Sequence, residues 1–221
     1  LNLNPPKTKK IAVIKESLNV DKNVKDLVLS KLDNYELVSL PLVEKYALNC
    51  YYILAMAEAS TNLAKYCGLR YGATLPISSD FNDFFSKVRS KYFQKESKRR
   101  IILGTFARMA GFRDAFYLKA MQVRTLIINE YKKVFNKYDI LVSPTMPIVA
   151  PKFSEISKLT PLQQYMMDIL TVGPNLAGLP HLNIPIGFKN KLPVGVLFTA
   201  DHLNENKLFQ IGEKLNGKDW N

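Results

Sequence analysis

The hydrophobic pattern at the start of the chain predicts a strand, a helix and a second strand. Residues 11–16 (IAVIKE) and 35–40 (YELVSL) are short, mostly apolar runs, and Asp21 precedes a segment with apolar residues on one helical face. Aspartate is a favoured N-cap residue, so we expect the helix to begin there. Two strands joined through a helix within about 30 residues form a parallel βαβ unit.

The middle of the chain is predicted to be mainly helical. Residues 41–66 carry few charges and predict a buried helix, and residues 81–90 and 98–110 predict two more. A long helix is expected over residues 113–138, because apolar residues recur there at steps of three and four. At about 100° per residue, Arg124 lies about 60° from the centre of the apolar face. This face comprises Phe116, Ala120, Val123, Ile127, Tyr131, Val134 and Tyr138.

The chain after residue 138 predicts a strand and then a helical region. The strand begins at Asp139 and is expected to end at Pro144, because proline lacks the N–H that a strand needs. Thr160-Pro161 predicts the start of a helix that carries Asp168, with threonine as the N-cap and proline at the first helical position. Gly173-Pro174 is predicted to interrupt that helix.

The last segments predict a hairpin and a closing helix. Residues 182–188 and 192–201 are expected to form two antiparallel strands joined by a short turn, and residues 205–215 an amphipathic helix. Strands and helices that alternate around a helical middle predict an α/β fold, an α/β/α sandwich with a mixed sheet. One domain is expected over residues 1–221, with residues 1–10 as an exposed lead-in.

Asp168 is the one formally charged residue in the segment 159–188. Burying an ionised carboxylate is unfavourable unless it is paired or hydrogen-bonded, so we expect Asp168 to have a partner. One interpretation is an N-cap or a salt bridge in the core. The other is an acid in a pocket that binds the cationic group of a ligand.

The cysteines and the lengths of the apolar runs limit the classes of protein to which this chain can belong. Cys50 and Cys67 are too few for a disulfide framework and lack metal-ligand spacing with the two histidines, His181 and His202. We therefore expect buried thiols in a reducing compartment and no metal site. No apolar run approaches the roughly 20 residues of a membrane helix, which favours a cytoplasmic protein.

The charge balance suggests an acidic partner such as tRNA. The formal net charge is +12, and residues 87–100 (KVRSKYFQKESKRR) hold seven Lys or Arg against one Glu. A run of like charge is more often a solvated face than a binding site. The sequence also lacks the signature of a known RNA-binding module.

Four motifs occur in the second half and the middle of the chain in a fixed order. They are EASTNLAKYCGLRYG, RRIILGTFARMAGFRDAFYLKAMQVRTLI, TVGPNLAGLPHLNIPIGF and LPVGVLFTADH. Together they resemble the carboxy-terminal half of the A subunits of tRNA-dependent amidotransferases, within the amidase signature family. The resemblance extends from about residue 11 to about residue 215. MMDILTVGPNLAGLPH and FARMAGFRDAFYLKA are most similar to the archaeal members.

The resemblance implies three substrate-binding residues. Arg124, in VRTLI, is similar to the arginine that holds the α-carboxylate of glutamine, and Asp168 then receives the α-ammonium group. Tyr71, in the RYG turn, resembles a tyrosine near the glutamine pocket, and Thr145 a residue at the edge of the cleft. Without the resemblance, Arg124 is an arginine that snorkels from a buried face, Tyr71 a packing residue and Thr145 a turn hydroxyl.

The catalytic residues of the family are not found in this chain. They are a lysine and two serines in a Gly- and Ser-rich signature that lies upstream of the matched region. This sequence has no Gly-Gly pair, and its one Ser-Ser pair, Ser78-Ser79, lacks flanking glycines. We therefore assign no catalytic residue here. A first residue Leu1 instead of methionine suggests an excerpt, and the amino-terminal catalytic half is either missing or a separate chain.

The resemblance also implies a function and partners. The family's glutaminase component hydrolyses glutamine and supplies ammonia for converting Glu-tRNA(Gln) or Asp-tRNA(Asn) to Gln-tRNA(Gln) or Asn-tRNA(Asn). It works with B and C subunits, meets tRNA mainly through that complex, and leaves ATP and magnesium to the partner protein. Two alternatives remain: a fragment of a stand-alone amidase, and a non-catalytic tRNA-binding or scaffold domain.

Overall fold

The computed structural model describes residues 10–77 and 80–216, so Ser78-Ser79 lies outside the described part of the chain. The chain divides into two compact units. The described residues up to Leu48 and from Val123 onward form the first unit, and Asn49–Gln122 forms the second. Within the described residues, no helix is long and apolar enough to cross a membrane.

A five-stranded mixed sheet forms the centre of the first unit, in the strand order β2-β1-β3-β5-β4. β1 pairs in parallel with β2 and with β3, whereas β5 pairs antiparallel with β3 and β4. This confirms the predicted α/β class and mixed sheet. The strands are β1 (Ile11–Ile14), β2 (Glu36–Val38), β3 (Ile140–Pro144), β4 (His181–Lys189) and β5 (Leu192–Ala200).

The predicted βαβ unit is confirmed. Helix α1 (Lys22–Ser30) follows Asp21, whose Oδ1 accepts the N–H groups of Asn23 at 3.0 Å and Val24 at 3.3 Å. An N-cap of this kind satisfies backbone donors that the first turn of a helix leaves unpaired. The side chains of Val24 and Val28 are buried against the sheet, which fixes the face that α1 presents.

The predicted carboxy-terminal hairpin is also confirmed. β4 and β5 are joined by Asn190 and Lys191, both with positive φ (52° and 65°). Two consecutive residues with positive φ match a tight turn whose twist suits an antiparallel hairpin. Helix α9 (Glu205–Asn216) packs on this hairpin through the buried residues Leu208 and Ile211.

The core of the first unit lies between the sheet and helices α1 and α9. Its members are aliphatic or aromatic, so their burial supplies the main driving force for folding of this unit. The buried cluster comprises Val13, Val24, Val28, Ile140, Val142, Ile184, Ile186, Val194, Val196, Phe198, Ala200, Leu208 and Ile211.

Two long helices link the units along the chain. α2 (Pro41–Asn62) begins in the first unit and ends in the second, and α5 (Lys119–Phe135) does the reverse. The single helix predicted over residues 113–138 is wrong at its start. Asp114–Leu118 is π-helical, with the Leu118 N–H donating to Arg113 O at 3.0 Å. The wider turn takes Phe116 out of register with the rest of the face, and its side chain is 38% exposed.

The second unit is helical in its described residues. Besides parts of α2 and α5 it contains α3 (Phe81–Tyr92) and α4 (Lys95–Arg108), both as predicted. α4 crosses α2 closely at Gly104, where any Cβ atom would overlap the carbonyl group of Met56. Glycine is therefore required at this crossing, since the obstruction is backbone and cannot rotate away.

The two cysteines differ in their surroundings. Cys50 is buried, and its Sγ donates to Ala120 O at 3.1 Å, as expected for a buried thiol. Cys67 is only half-buried, so the prediction of two buried thiols is confirmed for one residue alone. Cys67 lies beyond the end of α2, in the irregular segment that leads towards α3.

Candidate substrate-binding site

Arg124 lies on α5 in the first unit and is anchored to a short helix. Its Nε donates a hydrogen bond to Leu176 O at 2.8 Å, in α8 (Val172–Ala177). The side chain is half-buried, as expected for an arginine at the border of an apolar face. A single bond through Nε fixes the plane of the guanidinium group and leaves Nη1 and Nη2 outside that bond.

Asp168 lies in a 3₁₀ turn instead of a continuous helix. After the short helix α6 (Phe153–Ile156), α7 (Pro161–Tyr165) begins at the N-cap Thr160, as predicted, and the turn Met166–Asp168 follows it. The carbonyl oxygen of Asp168 accepts the N–H of Thr171 at 2.9 Å and its hydroxyl at 3.0 Å. These bonds hold the backbone of a half-buried carboxylate in the segment that leads into α8.

The predicted interruption at Gly173-Pro174 is wrong. These residues lie inside α8, and the helical path is broken before them, at the residues between Asp168 and Val172. Proline at the start of a helix removes no internal hydrogen bond, because the N–H groups of the first turn have no helical acceptor. Pro174 therefore belongs to the first turn of a new helix.

Tight packing fixes α8 against α5. A Cβ atom on Gly173 would lie 2.6 Å from Tyr131 Oη and 2.8 Å from Val43 Cγ1. Tyr131 and Arg124 are both on α5, so one helix contacts α8 at Gly173 and at Leu176. The segment that follows Asp168 is thereby held at two points next to the helix that carries Arg124.

Glu130 connects α5 to the start of α2. Its two carboxylate oxygens accept the N–H groups of Leu42 at 3.1 Å and Val43 at 3.0 Å. These donors belong to the first turn of α2, which has no helical acceptors for them, and a negative charge there is favoured by the helix dipole. The roles of Glu130, Tyr131 and Gly173 were not predicted, because nothing local in the sequence indicates their partners.

Thr145 has a structural partner. Its Oγ1 bonds to Asn183 Oδ1, and its N–H donates to Gly195 O at 3.0 Å, so both polar groups join the end of β3 to the hairpin. This supports the interpretation as a structural hydroxyl over the one at the edge of a cleft.

Tyr71 belongs to the second unit and is 55% exposed. Its ring makes an edge-to-face contact with Tyr66, with the centroids 6.4 Å apart. Both tyrosines line a surface groove with Tyr92 and Phe93. The structure thus brings Arg124 and Asp168 onto neighbouring segments of one unit, and it places Tyr71 in an aromatic groove of the other.

The basic run 87–100 has many partners within the second unit. Lys87 pairs with Asp83 at 2.6 Å, and Arg100 pairs with Glu96 at 2.9 Å. The Lys98 ammonium donates to Ser90 O at 2.8 Å. Pairs of this kind lie on helix surfaces and favour a solvated, self-paired face over a dedicated RNA-binding surface. Among the described residues no group of three His, Cys, Asp or Glu is placed to hold a metal ion.

Comparisons with known proteins agree with this fold. The model of the family described as Amidase matches residues 1–209. Over 176 residues the chain is 48% identical to the A subunit of glutamyl-tRNA(Gln) amidotransferase from Archaeoglobus fulgidus, a match that covers 80% of this chain and 38% of that protein. The corresponding protein of Geobacillus sp. (strain WCH70) is 46% identical over 211 residues, or 91% of this chain and 43% of that protein.

Solved structures show the same relationship. The crystal structure of the A subunit of glutamyl-tRNA(Gln) amidotransferase from Thermotoga maritima superimposes with a TM-score of 0.67 at 33% identity, covering 92% of this chain and 41% of that one. An amidase only 18% identical has the same fold, with a TM-score of 0.71. The chain spans about two-fifths of the length of these relatives. It belongs to the amidase family.

Proposed function

We propose that this chain is the substrate-binding part of a glutaminase subunit in a tRNA-dependent amidotransferase. Its similarity to relatives named as the A subunits of glutamyl-tRNA(Gln) amidotransferase supports the choice within the amidase family. The structural observation that carries the proposal is the anchoring of Arg124 to α8 through Nε. This contact suits an arginine that holds a charged substrate group.

Arg124 binds the α-carboxylate of glutamine in this proposal. With Nε held by Leu176 O, Nη1 and Nη2 form a planar fork that matches the two oxygens of a carboxylate. Because the side chain is already held, less conformational freedom is lost when the substrate binds. A lysine has neither the fork nor the third nitrogen for the anchor.

Asp168 binds the α-ammonium group. Its half-buried position and its fixed backbone favour a carboxylate with a defined direction, and α8 sets its segment beside α5. Opposite charges at two fixed points match a free amino acid and disfavour a simple amide, which carries neither of the two complementary charges. Tyr71 is proposed as a glutamine-binding residue on the resemblance alone.

The chemistry of this proposal is acyl transfer. A serine outside this chain attacks the side-chain amide carbon of glutamine, ammonia leaves, and water hydrolyses the glutamyl ester; the lysine and the second serine move the proton. Partner B and C subunits complete the enzyme, and the ammonia is used on Glu-tRNA(Gln) or Asp-tRNA(Asn) with ATP and magnesium. The cytoplasm is the compartment that this reaction implies.

A chimeric protein tests the proposal. The part of the Archaeoglobus fulgidus relative that precedes the matched region is joined to this chain, and ammonia release from glutamine is measured. We expect release by the chimera and none by the chain alone. A folded chimera that hydrolyses propionamide as fast as glutamine would favour a stand-alone amidase. An inactive folded chimera that binds tRNA through residues 87–100 would favour the scaffold.

A further inference from the structure

A cavity of about 100 Å³ lies at the carboxyl ends of β1 and β3 in the first unit. Ile14 is the last residue of β1, and Ser143 is the last but one of β3. Because these two strands are parallel neighbours, their carboxyl ends open at the same edge of the sheet. The walls are formed by Val20, Leu40, Val43, Pro147, Ile169 and Leu170.

The position of the cavity in the sheet is one that binds ligands in α/β proteins. β1 lies between β2 and β3, so the chain leaves β1 towards one neighbour and later returns on its other side. A reversal of this kind leaves a crevice outside the carboxyl ends of the parallel strands. Neither Arg124 nor Asp168 is among the residues that line the cavity, so it is separate from the proposed glutamine contacts.

Two almost fully buried hydroxyl groups line the cavity. The side chains of Tyr131 and Ser143, which both line the cavity, are 2% and 4% exposed. A tyrosine hydroxyl is protonated at neutral pH, and burial raises the pKa of Tyr131 further. An occupant with a hydrogen-bonding oxygen would supply a partner for both hydroxyls.

Both charged side chains that line the cavity are acidic. Glu16 and Glu44 are its charged lining residues, in a chain whose net charge is +12. Partial burial alone would raise the pKa of Glu16, but hydrogen bonds from the Ser39 hydroxyl and the Leu40 N–H outweigh it and hold the pKa below its usual value. Two carboxylates beside an apolar interior favour a cation over a neutral or anionic ligand.

We propose that this cavity binds a small organic ammonium ion that also carries a hydroxyl or carbonyl oxygen. The ammonium group lies by Glu16 and Glu44, the carbon chain contacts the aliphatic walls, and the oxygen bonds to the hydroxyls of Tyr131 and Ser143. An occupant packs against Ile169, which directly follows Asp168 in the chain.

Calorimetric titration of the full chain tests this proposal, with 4-amino-1-butanol as the probe. Butane-1,4-diol has nearly the same shape without the charge, and butylammonium has the charge without the hydroxyl. We expect saturable binding of the amino alcohol and weaker binding of both comparison compounds. Equal binding of the diol overturns the assignment of charge, and the absence of binding by all three compounds overturns the site.

Two variants identify the groups that bind the probe. Glu44→Gln is expected to weaken binding of the amino alcohol about fivefold and to leave binding of the diol unchanged. Tyr131→Phe is expected to remove most of the advantage of the amino alcohol over butylammonium. Glu58→Gln is the control, because Glu58 lies on the same helix as Glu44 and does not line the cavity. A fivefold loss in that control as well would contradict the proposal.

Discussion

Replacing Glu130 by alanine is expected to separate the start of α2 from α5. The change removes a carboxylate that accepts two N–H groups of the first helical turn, at 3.1 and 3.0 Å. A hydrogen bond to a charged group contributes about 1.5–3 kcal/mol, and the loss of a helix cap costs about 0.5–2 kcal/mol. Glu130 is half-buried, so water replaces part of the lost hydrogen bonding in the variant. We therefore expect the free energy of unfolding to fall by about 2 kcal/mol.

Urea unfolding of Glu130→Ala and Glu130→Gln measures this loss. The glutamine side chain keeps one acceptor oxygen, so its free energy of unfolding is expected to fall by about half as much, about 1 kcal/mol. Glu213→Ala is the control, since Glu213 is an exposed glutamate on another helix, α9. A loss below about 0.5 kcal/mol in Glu130→Ala, within the range of ordinary surface substitutions, would refute the capping role.

Three further predictions concern packing and pH. Gly104→Ala is expected to lower the free energy of unfolding by about 3 kcal/mol or more in a thermal melt, since its Cβ overlaps the carbonyl of Met56; a loss below about 1 kcal/mol would contradict that crossing. Gly173→Ala is expected to destabilise the protein, because the new Cβ atom would clash with the Tyr131 hydroxyl. Removing that hydroxyl with Tyr131→Phe should restore part of the lost free energy of unfolding. Strictly additive effects of the two substitutions would count against the contact. The pKa of the Asp21 carboxyl is lowered from 3.8, mainly by its hydrogen bond with Lys189. Its contribution to the free energy of unfolding is therefore present above about pH 4 and is lost as the pH falls further. Urea unfolding is measured at neutral pH and below about pH 4. The free energy of unfolding should fall less between these conditions for Asp21→Asn than for the unchanged protein, and an identical fall in both would contradict this linkage.

The elements that sequence predicts well are those with local signals. The cap at Asp21, the hairpin turn and the capping residue Thr160 each depend on residues within a few positions, so their residue types reveal them. The amphipathic α9 is predicted for the same reason, since its period lies within one segment.

The elements that sequence missed depend on distant partners. The carboxylate of Glu130 caps a helix that begins almost ninety residues earlier, and Gly173 is fixed by Tyr131 on another helix. The π-helical turn before α5 adds only one residue and has no residue-type signal of its own, so the sequence does not reveal it. At the candidate site, the edge position of Arg124 was predictable from its period, whereas its bond to Leu176 O was not.

The central claim, that Arg124 and Asp168 hold the two charged groups of glutamine, is tested by kcat/KM of the chimera with matched substrates. Glutaramate is glutamine without the α-ammonium group, and 4-aminobutanamide is glutamine without the α-carboxylate. Arg124→Ala should lower kcat/KM about 100-fold for glutamine and for glutaramate but leave 4-aminobutanamide unchanged. Asp168→Asn should lower it for glutamine and 4-aminobutanamide but leave glutaramate unchanged. Equal losses for all three substrates in both variants would contradict the assignment and show that these residues only support the fold.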